Sequence, residues 1–275
     1  MYEIIGKYGS GLDSISIFVG TGQCNAYCSH CAGLPLRKYA PKQDGVIDGN
    51  LISKTLRECY KQGARYLSIS SSGEPTLSPV SVSKTLKLVD KLKEEGISFS
   101  PINLYSNGIR IGEDKLFSDK YLPFWRNLGL TTVYITVHSQ NEEKNAAIYR
   151  VKSYPSLESV FSRIHESGLK IRANLVLSKR AISTEEEFVS MIKHLLNLGV
   201  NDISAWPIRD LNDKPDLTLS PRESELDRIE KWIEANQDPK HKIRLLRENS
   251  KIRYQLRQKL TLFPDGSLSN KWCNH

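Results

Sequence analysis

Apolar positions recur along this chain at two periods that alternate. Helical spacing is clear in three places: Leu157, Val160, Phe161 and Ile164 share one face, as do Phe188, Met191, Ile192 and Leu195, and then Leu226, Ile229 and Ile233. The second of these helices follows Ser183-x-x-Glu186, which reads as a capping box. The third follows Ser220-Pro221-Arg222-Glu223, which reads as a start with Pro at the first helical position. Between the helical stretches lie runs of β-branched and aromatic residues. Five segments share one order, in which a helical pattern ends in Gly and a strand follows. Their glycines, Gly63, Gly96, Gly129, Gly168 and Gly199, stand 31 to 39 residues apart. Gly tolerates the left-handed conformation that closes a helix. The pattern predicts six strands, at about 14–19, 66–71, 99–106, 132–138, 169–177 and 201–207. A helix–Gly–strand unit of this length is the β/α repeat of a parallel sheet, and right-handed crossovers curl such units into a barrel. The predicted fold is α/β: a partial (β/α)6 barrel over 1–210, then a C-terminal helical and strand extension over 211–275.

The polar motifs fall at one end of that barrel. GTGQCNAYCSHC follows the first strand, SSGEPT the second and SNG the third; His138-Ser139 ends the fourth, and Asn174 lies late in the fifth. Chemistry in β/α barrels sits at the carboxyl ends of the strands. Each motif alone is also a turn signal, Asn107-Gly108 above all.

Three of the 5 cysteines crowd into eight residues, as Cys24-x3-Cys28-x2-Cys31. A disulfide scaffold would spread an even number along a short chain, whereas clustered thiolates read as ligands for iron–sulfur clusters, zinc or cuprous ions. Three thiolates can hold three irons of a cubane and leave the fourth without a protein ligand, since electron-transfer clusters normally have four Cys. Cys59 and Cys273 are distant in sequence. Cys59, three residues after Leu56, reads as core, and Cys273 as a tail thiol, a hydrogen donor or a substrate contact. Two alternatives stand beside the cluster: a zinc site of the three cysteines with His30 or His275, and reactive free thiols.

With this loop directly after the first strand of a β/α repeat, the region 14–209 resembles the radical S-adenosylmethionine (SAM) superfamily, nearest in layout to the molybdenum-cofactor cyclase-like and tRNA wybutosine-like groups. The resemblance implies a [4Fe–4S] cluster on Cys24, Cys28 and Cys31 in a radical SAM barrel. It implies SAM chelating the open iron, reductive cleavage to a 5′-deoxyadenosyl radical, and hydrogen abstraction from a substrate. Ser72-Gly73-Glu74-Pro75 resembles the family's Gly-Gly-Glu motif, which holds the SAM amino group, with Ser72 departing from the first Gly. A carboxylate there pairs with an ammonium. Ser106-Asn107-Gly108 resembles the (Ser/Thr)-Asn-Gly turn beside SAM. His138 occupies a place for a ribose or carboxylate contact, Asn174 resembles the Asn of the cyclase group's fifth strand, and His30 stands where the family has an aromatic near adenine. Arg150 reads either as a partner for the SAM carboxylate or as a surface residue; Arg172 alternates with Ile171 and points into the barrel or outward. A reductase such as flavodoxin or ferredoxin is implied as electron donor.

Charge adds one feature. Of the net +8, nearly all comes from Lys240, Lys242, Arg244, Arg247, Lys251, Arg253, Arg257 and Lys259, against the single acid Glu248. A local positive field suits an anionic substrate: a small molecule such as a nucleotide, an RNA base or a peptide. A solvated basic helix is the plainer reading. In the tail, Asp265-Gly266 reads as a turn, and one cysteine is too few for a second cluster. No stretch spans a membrane, and the first residues lack a signal-peptide pattern, so a cytoplasmic enzyme is expected. A zinc-dependent nucleic-acid-binding module and a glycyl-radical activating enzyme are the competing functions.

Overall fold

The computed structural model describes residues 11–31, 33–210, 215–247 and 259–269. Six strands stand where the repeat places them: β1 (Ser14–Phe18), β2 (Tyr66–Ser70), β3 (Ile102–Ser106), β4 (Thr132–Val137), β5 (Lys170–Leu177) and β6 (Asp202–Pro207). All pair parallel with their sequence neighbours. The five helix-ending glycines all have positive φ, between 74° and 105°, the conformation that sets the repeat.

The sheet extends beyond these six. β7 (Lys242–Leu245) pairs parallel with β6, β8 (Lys259–Leu262) pairs parallel with β1, and β9 (Leu268–Ser269) returns antiparallel to β8 across the Asp265-Gly266 turn. Among the described residues the order is β7-β6-β5-β4-β3-β2-β1-β8-β9, so the barrel is open between β7 and β9. Residues from 211–275 thus share the sheet of 1–210. Part of the basic run is a strand here, not a solvated helix.

Eight helices complete the described chain: α1 (Gly49–Lys61), α2 (Pro79–Leu92), α3 (Ile109–Glu113), α4 (Lys115–Asn127), α5 (Glu142–Tyr149), α6 (Leu157–Glu166), α7 (Glu185–Asn197) and α8 (Glu223–Ala235). The apolar faces read from the sequence on α6, α7 and α8 are buried, and Cys59, on the buried face of α1, lies in the core. Two helix starts differ from expectation. The capping box on α7 is Thr184 with Glu187, one residue beyond Ser183 and Glu186. Five consecutive residues there, Ser183 to Glu187, can cap or be capped, and the apolar face fixes the phase. α8 begins at Glu223, with Arg222 in extended conformation as its N-cap. Pro221 therefore precedes the helix, and the Ser220 hydroxyl donates to the Ile208 carbonyl instead of capping.

The two faces of the sheet differ in chemistry. Along β4, Val133, Ile135 and Val137 are buried in the core shared with the helices, while Thr132, Tyr134 and Thr136 are half-buried. Side chains alternate along a strand, so the helices cover one face and the other lines an open concavity. Arg172 and Asn174 share that concave face, with Ile171, Ala173 and Leu175 in the helix-covered core.

Candidate active site

Because the sheet is parallel, every β-to-α loop leaves from the same rim. The cysteine loop follows β1 there, and neighbours on three sides hold it. Glu74 N–H donates to Gln23 O (2.7 Å), Tyr27 N–H donates to Tyr149 O (2.8 Å), and Asn107 Nδ2 donates to Asn25 Oδ1 (2.8 Å) while lying 3.8 Å from Cys24 Sγ. Gly73 lies so close beneath the loop that a Cβ would stand 2.1 Å from Gln23 O and 2.3 Å from Gly22 O. Arg37, six residues after the last cysteine, donates from Nε to Ser72 O (3.3 Å).

Cys24, Cys28 and Cys31 are free and half-buried. Burial pushes the Cys24 thiol up to about 11, with Glu74 adding to the rise, and Cys28 up to about 12, with Cys31 and Cys24 adding; Arg37 opposes both shifts. The thiols therefore feel one another and lack the positive charge that would hold them as thiolates. A bound cation supplies that charge, and coordinated thiols lose their protons. Among the described residues, no group of three or more His, Cys, Asp or Glu side chains is gathered closely enough to hold one metal ion. A cubane asks for less, three thiolates each on its own iron. Cys59 is sealed in the core, and Cys273 and His275 lie outside the described residues. The donor set fits a cluster with three protein thiolates.

Glu74 ties the second and third loops together. Its Oε1 accepts from Thr76 N–H (3.0 Å), Thr76 Oγ1 (2.8 Å) and Ser106 Oγ (2.8 Å), and its Oε2 accepts from Asn107 N–H (2.7 Å). The carboxyl is 2% exposed. Burial raises its pKa, and those four bonds oppose the rise. Of its two oxygens, Oε2 has the freer lone pair. Ser106 in turn accepts from Gly108 N–H (3.0 Å), and Asn107 Oδ1 from Ile109 N–H (3.0 Å).

On the far side stands an aromatic group. His138 meets His30 edge-to-face at 5.2 Å and Tyr149 at 5.0 Å, and Tyr149 stacks on Tyr154 at 5.1 Å. The Tyr154 hydroxyl donates to Asn107 O (2.9 Å), closing the ring of contacts. Both His138 nitrogens are buried without a partner, as is Asn174 Oδ1. Burial pushes His138 down to about 3, with His30 adding. Burial thus favours the neutral His138 imidazole, which offers one donor and one acceptor to a ligand. Buried polar groups are rarely left unpaired, so these orphaned atoms mark a place for a polar guest.

The structure brings Cys24, Ser72, Gly73, Glu74, Ser106 and Asn107 together, with His30 and His138 beside one another and Asn174 deeper on the concave face. Arg150 is exposed, in the left-handed region at φ 53°. Sequence reading missed Asn25, Arg37, Thr76, Tyr149 and Tyr154. The two tyrosines, five residues apart, straddle the end of α5, where neither period reveals a shared face.

The sequence pattern of the Radical SAM superfamily matches residues 18–195. The chain belongs to that superfamily. Radical SAM enzymes use a [4Fe–4S] cluster and SAM, and the partial barrel is their fold. The chain is similar to GTP 3′,8-cyclase of Aquifex aeolicus (strain VF5), 27% identical over 183 residues, covering 66% of this chain and 52% of that protein. It is also similar to molybdenum cofactor biosynthesis protein moc-5 of Caenorhabditis elegans, 25% identical over 209 residues, covering 74% of this chain and 32% of that protein. The chain therefore spans about half and a third of these two relatives' lengths. In fold it is similar to SuiB of Streptococcus suis bound to SAM, with a TM-score of 0.63 at 14% identity, covering 96% of this chain and 59% of that one. The grouping with cyclase-like members agrees with the layout of the motifs.

Proposed function

We propose that Cys24, Cys28 and Cys31 hold the [4Fe–4S] cluster of this radical SAM enzyme, leaving one iron open to SAM, and that the substrate enters the concave face of the sheet. When bound and reduced, the cluster supplies the electron that splits SAM and begins hydrogen abstraction. This chain's own residues do the rest. Ser72, Gly73 and Glu74 shape the turn that faces the SAM amino group, Glu74 fixes Ser106 and Asn107 against the cysteine loop, and His30 and His138 offer the neutral ring wall for the adenosine. Asn174 presents an acceptor from below.

The observation that carries this reading is the Glu74 carboxylate, which joins the second and third loops directly behind Cys24. Glu74→Ala removes a charged acceptor and leaves the Thr76, Ser106 and Asn107 donors without it. Loss of such a bond is typically worth about 1.5–3 kcal/mol, a roughly ten- to hundredfold change in affinity. Calorimetry on the anaerobically reconstituted enzyme is expected to show SAM binding weakened by that factor while iron content is retained. Unchanged SAM affinity overturns the assignment.

The reaction is proposed to act on an anionic small molecule, with a nucleotide as the first class to test because one relative is named a GTP 3′,8-cyclase. RNA and peptide substrates follow; SuiB has been solved with its precursor peptide SuiA, but at 14% identity that likeness shows fold alone. The electron donor is proposed to be a flavodoxin- or ferredoxin-type reductase, and the setting cytoplasmic, where thiols stay reduced. Among the described residues no helix is long and apolar enough to cross a membrane. The basic run is engaged in part by the protein itself: Arg247 pairs with Glu223 (2.9 Å), Asp227 (2.7 Å) and Glu230 (3.4 Å) on α8. Lys251, Arg253 and Arg257 lie outside the described residues.

A further inference from the structure

Five consecutive strands, β3 to β7, present polar, charged or aromatic side chains in register on the concave face. Tyr105 pairs with Tyr134, Tyr134 with Arg172, and Arg172 with Asp202; one step higher, Asn174 pairs with Ser204 and Ser204 with Arg244. The side chains converge as the register requires. Arg172 lies over the Tyr134 ring at 4.7 Å and donates from Nη2 to Ser204 Oγ (2.5 Å). Arg244 donates from Nε and Nη2 to the same hydroxyl (3.1 and 3.0 Å) and from Nη2 to Asp202 Oδ1.

The donors outnumber the acceptors. Two guanidiniums bring more N–H groups than the Asp202 carboxylate and the Ser204 and Tyr134 hydroxyls can accept, and Arg172 Nε is buried with no hydrogen-bond partner, 3.9 Å from Asp202. Asn174, 1% exposed and two residues along the same face of β5, leaves its Oδ1 unpartnered, an acceptor that would meet a donor group of the same guest and not its anionic group. Two positive charges face one negative charge inside an open concavity. A structural ion pair would balance its charges and satisfy its donors.

We propose that Arg172 and Arg244 form an oxyanion site at the floor of the concave face, holding a phosphate or carboxylate group of the substrate. This rests on the proposed function, which places the substrate on that face, and names the chemistry that recognises it. Distance adds a constraint. His138 lies two residues beyond Thr136, which pairs with Asn174, so Arg172 sits four residues below the His138 level along β5. At about 3.3 Å per residue this is on the order of 13 Å, shortened by the reach of a long side chain. The anionic group and the carbon that loses hydrogen are therefore separated by roughly 10 Å. A nucleotide or a short peptide spans that distance, and a free amino acid does not.

The test uses the anaerobically reconstituted enzyme with SAM and two probes, inorganic pyrophosphate and succinate, titrated by calorimetry. The wild type is expected to bind at least one of them. Pyrophosphate alone assigns a phosphorylated substrate, succinate alone a carboxylate one, and both support the shared oxyanion chemistry; binding of neither overturns the proposal. Arg172→Gln and Arg244→Gln are each expected to weaken binding at least tenfold. Asp202→Asn removes the competing carboxylate and is expected to tighten binding several-fold, a direction that a purely structural ion pair does not give. Weaker binding in Asp202→Asn, or wild-type affinity in both arginine variants, overturns the site. Iron content and substrate-free 5′-deoxyadenosine formation are measured on the same samples. These report separately on the proposed function: their loss in the wild type sinks that reading, whereas their retention with absent anion binding sinks only this one.

Discussion

Replacing Cys24, Cys28 or Cys31 with alanine, one at a time, is expected to abolish the brown chromophore and reduce iron after anaerobic reconstitution from about four per chain to a small residue. On the proposed ligand set each thiolate would hold a separate iron, so none could stand in for another. Cys59 cannot compensate, because it is fully buried in the core on the inner face of α1. Cys59→Ala should therefore keep the chromophore and lose only stability, as removal of a small buried side chain does. Iron and sulfide analysis with the visible spectrum checks this. Full iron uptake by any of the three loop variants contradicts the ligand assignment.

Gly73→Ala is expected to have nearly as large an effect without touching a ligand. The new methyl would stand 2.1 Å from Gln23 O, 2.3 Å from Gly22 O and 2.5 Å from Gly22 C, all backbone atoms. They cannot swing aside as a flexible side chain can. Gly22 already has φ 72°, and Gln23 O accepts from Glu74 N–H one residue past the methyl. The cysteine loop must lift from the second loop, breaking that bond and separating Cys24 from Glu74. Overpacking of this kind typically costs about 1–3 kcal/mol, and lost bonds add to it. The variant is expected to melt at lower temperature and to take up iron poorly. Wild-type melting together with wild-type iron content would show that the loop does not rest on Gly73.

Much of this was legible in the sequence because two rules act locally. A glycine that closes a helix must be able to take positive φ, and all five such glycines do. A parallel repeat sends every β-to-α loop to one rim, which is why motifs as far apart as Cys24 and Asn107 could be placed together before any coordinate was known. Short elements carried no comparable signal. β7 and β8 have four residues each and β9 two, and Lys242-Ile243-Arg244-Leu245 reads as part of a charge run, although Arg244 is half-buried on the sheet and only Lys242 stays exposed. Arg172 was legible as pointing either into the barrel or outward, and the fold places it on the concave face. Charge marks the outside of most folds, yet here polar side chains also line the concave face of the sheet, where the helices do not pack. The alternation Thr132-Val133-Tyr134-Ile135-Thr136-Val137 carried that information, with one face apolar and the other not. Glu74 was legible as a site residue from its motif; its four internal hydrogen bonds depend on Thr76, Ser106 and Asn107, which only the fold brings within reach.

Mössbauer spectra of the enzyme reconstituted with iron-57, recorded with and without SAM, directly test a cluster held by three thiolates with one iron open to SAM. One iron of the cluster is expected to change its isomer shift and quadrupole splitting when SAM is added, while the other three do not. Spectra indifferent to saturating SAM, or a protein that takes up zinc and no iron, would contradict it.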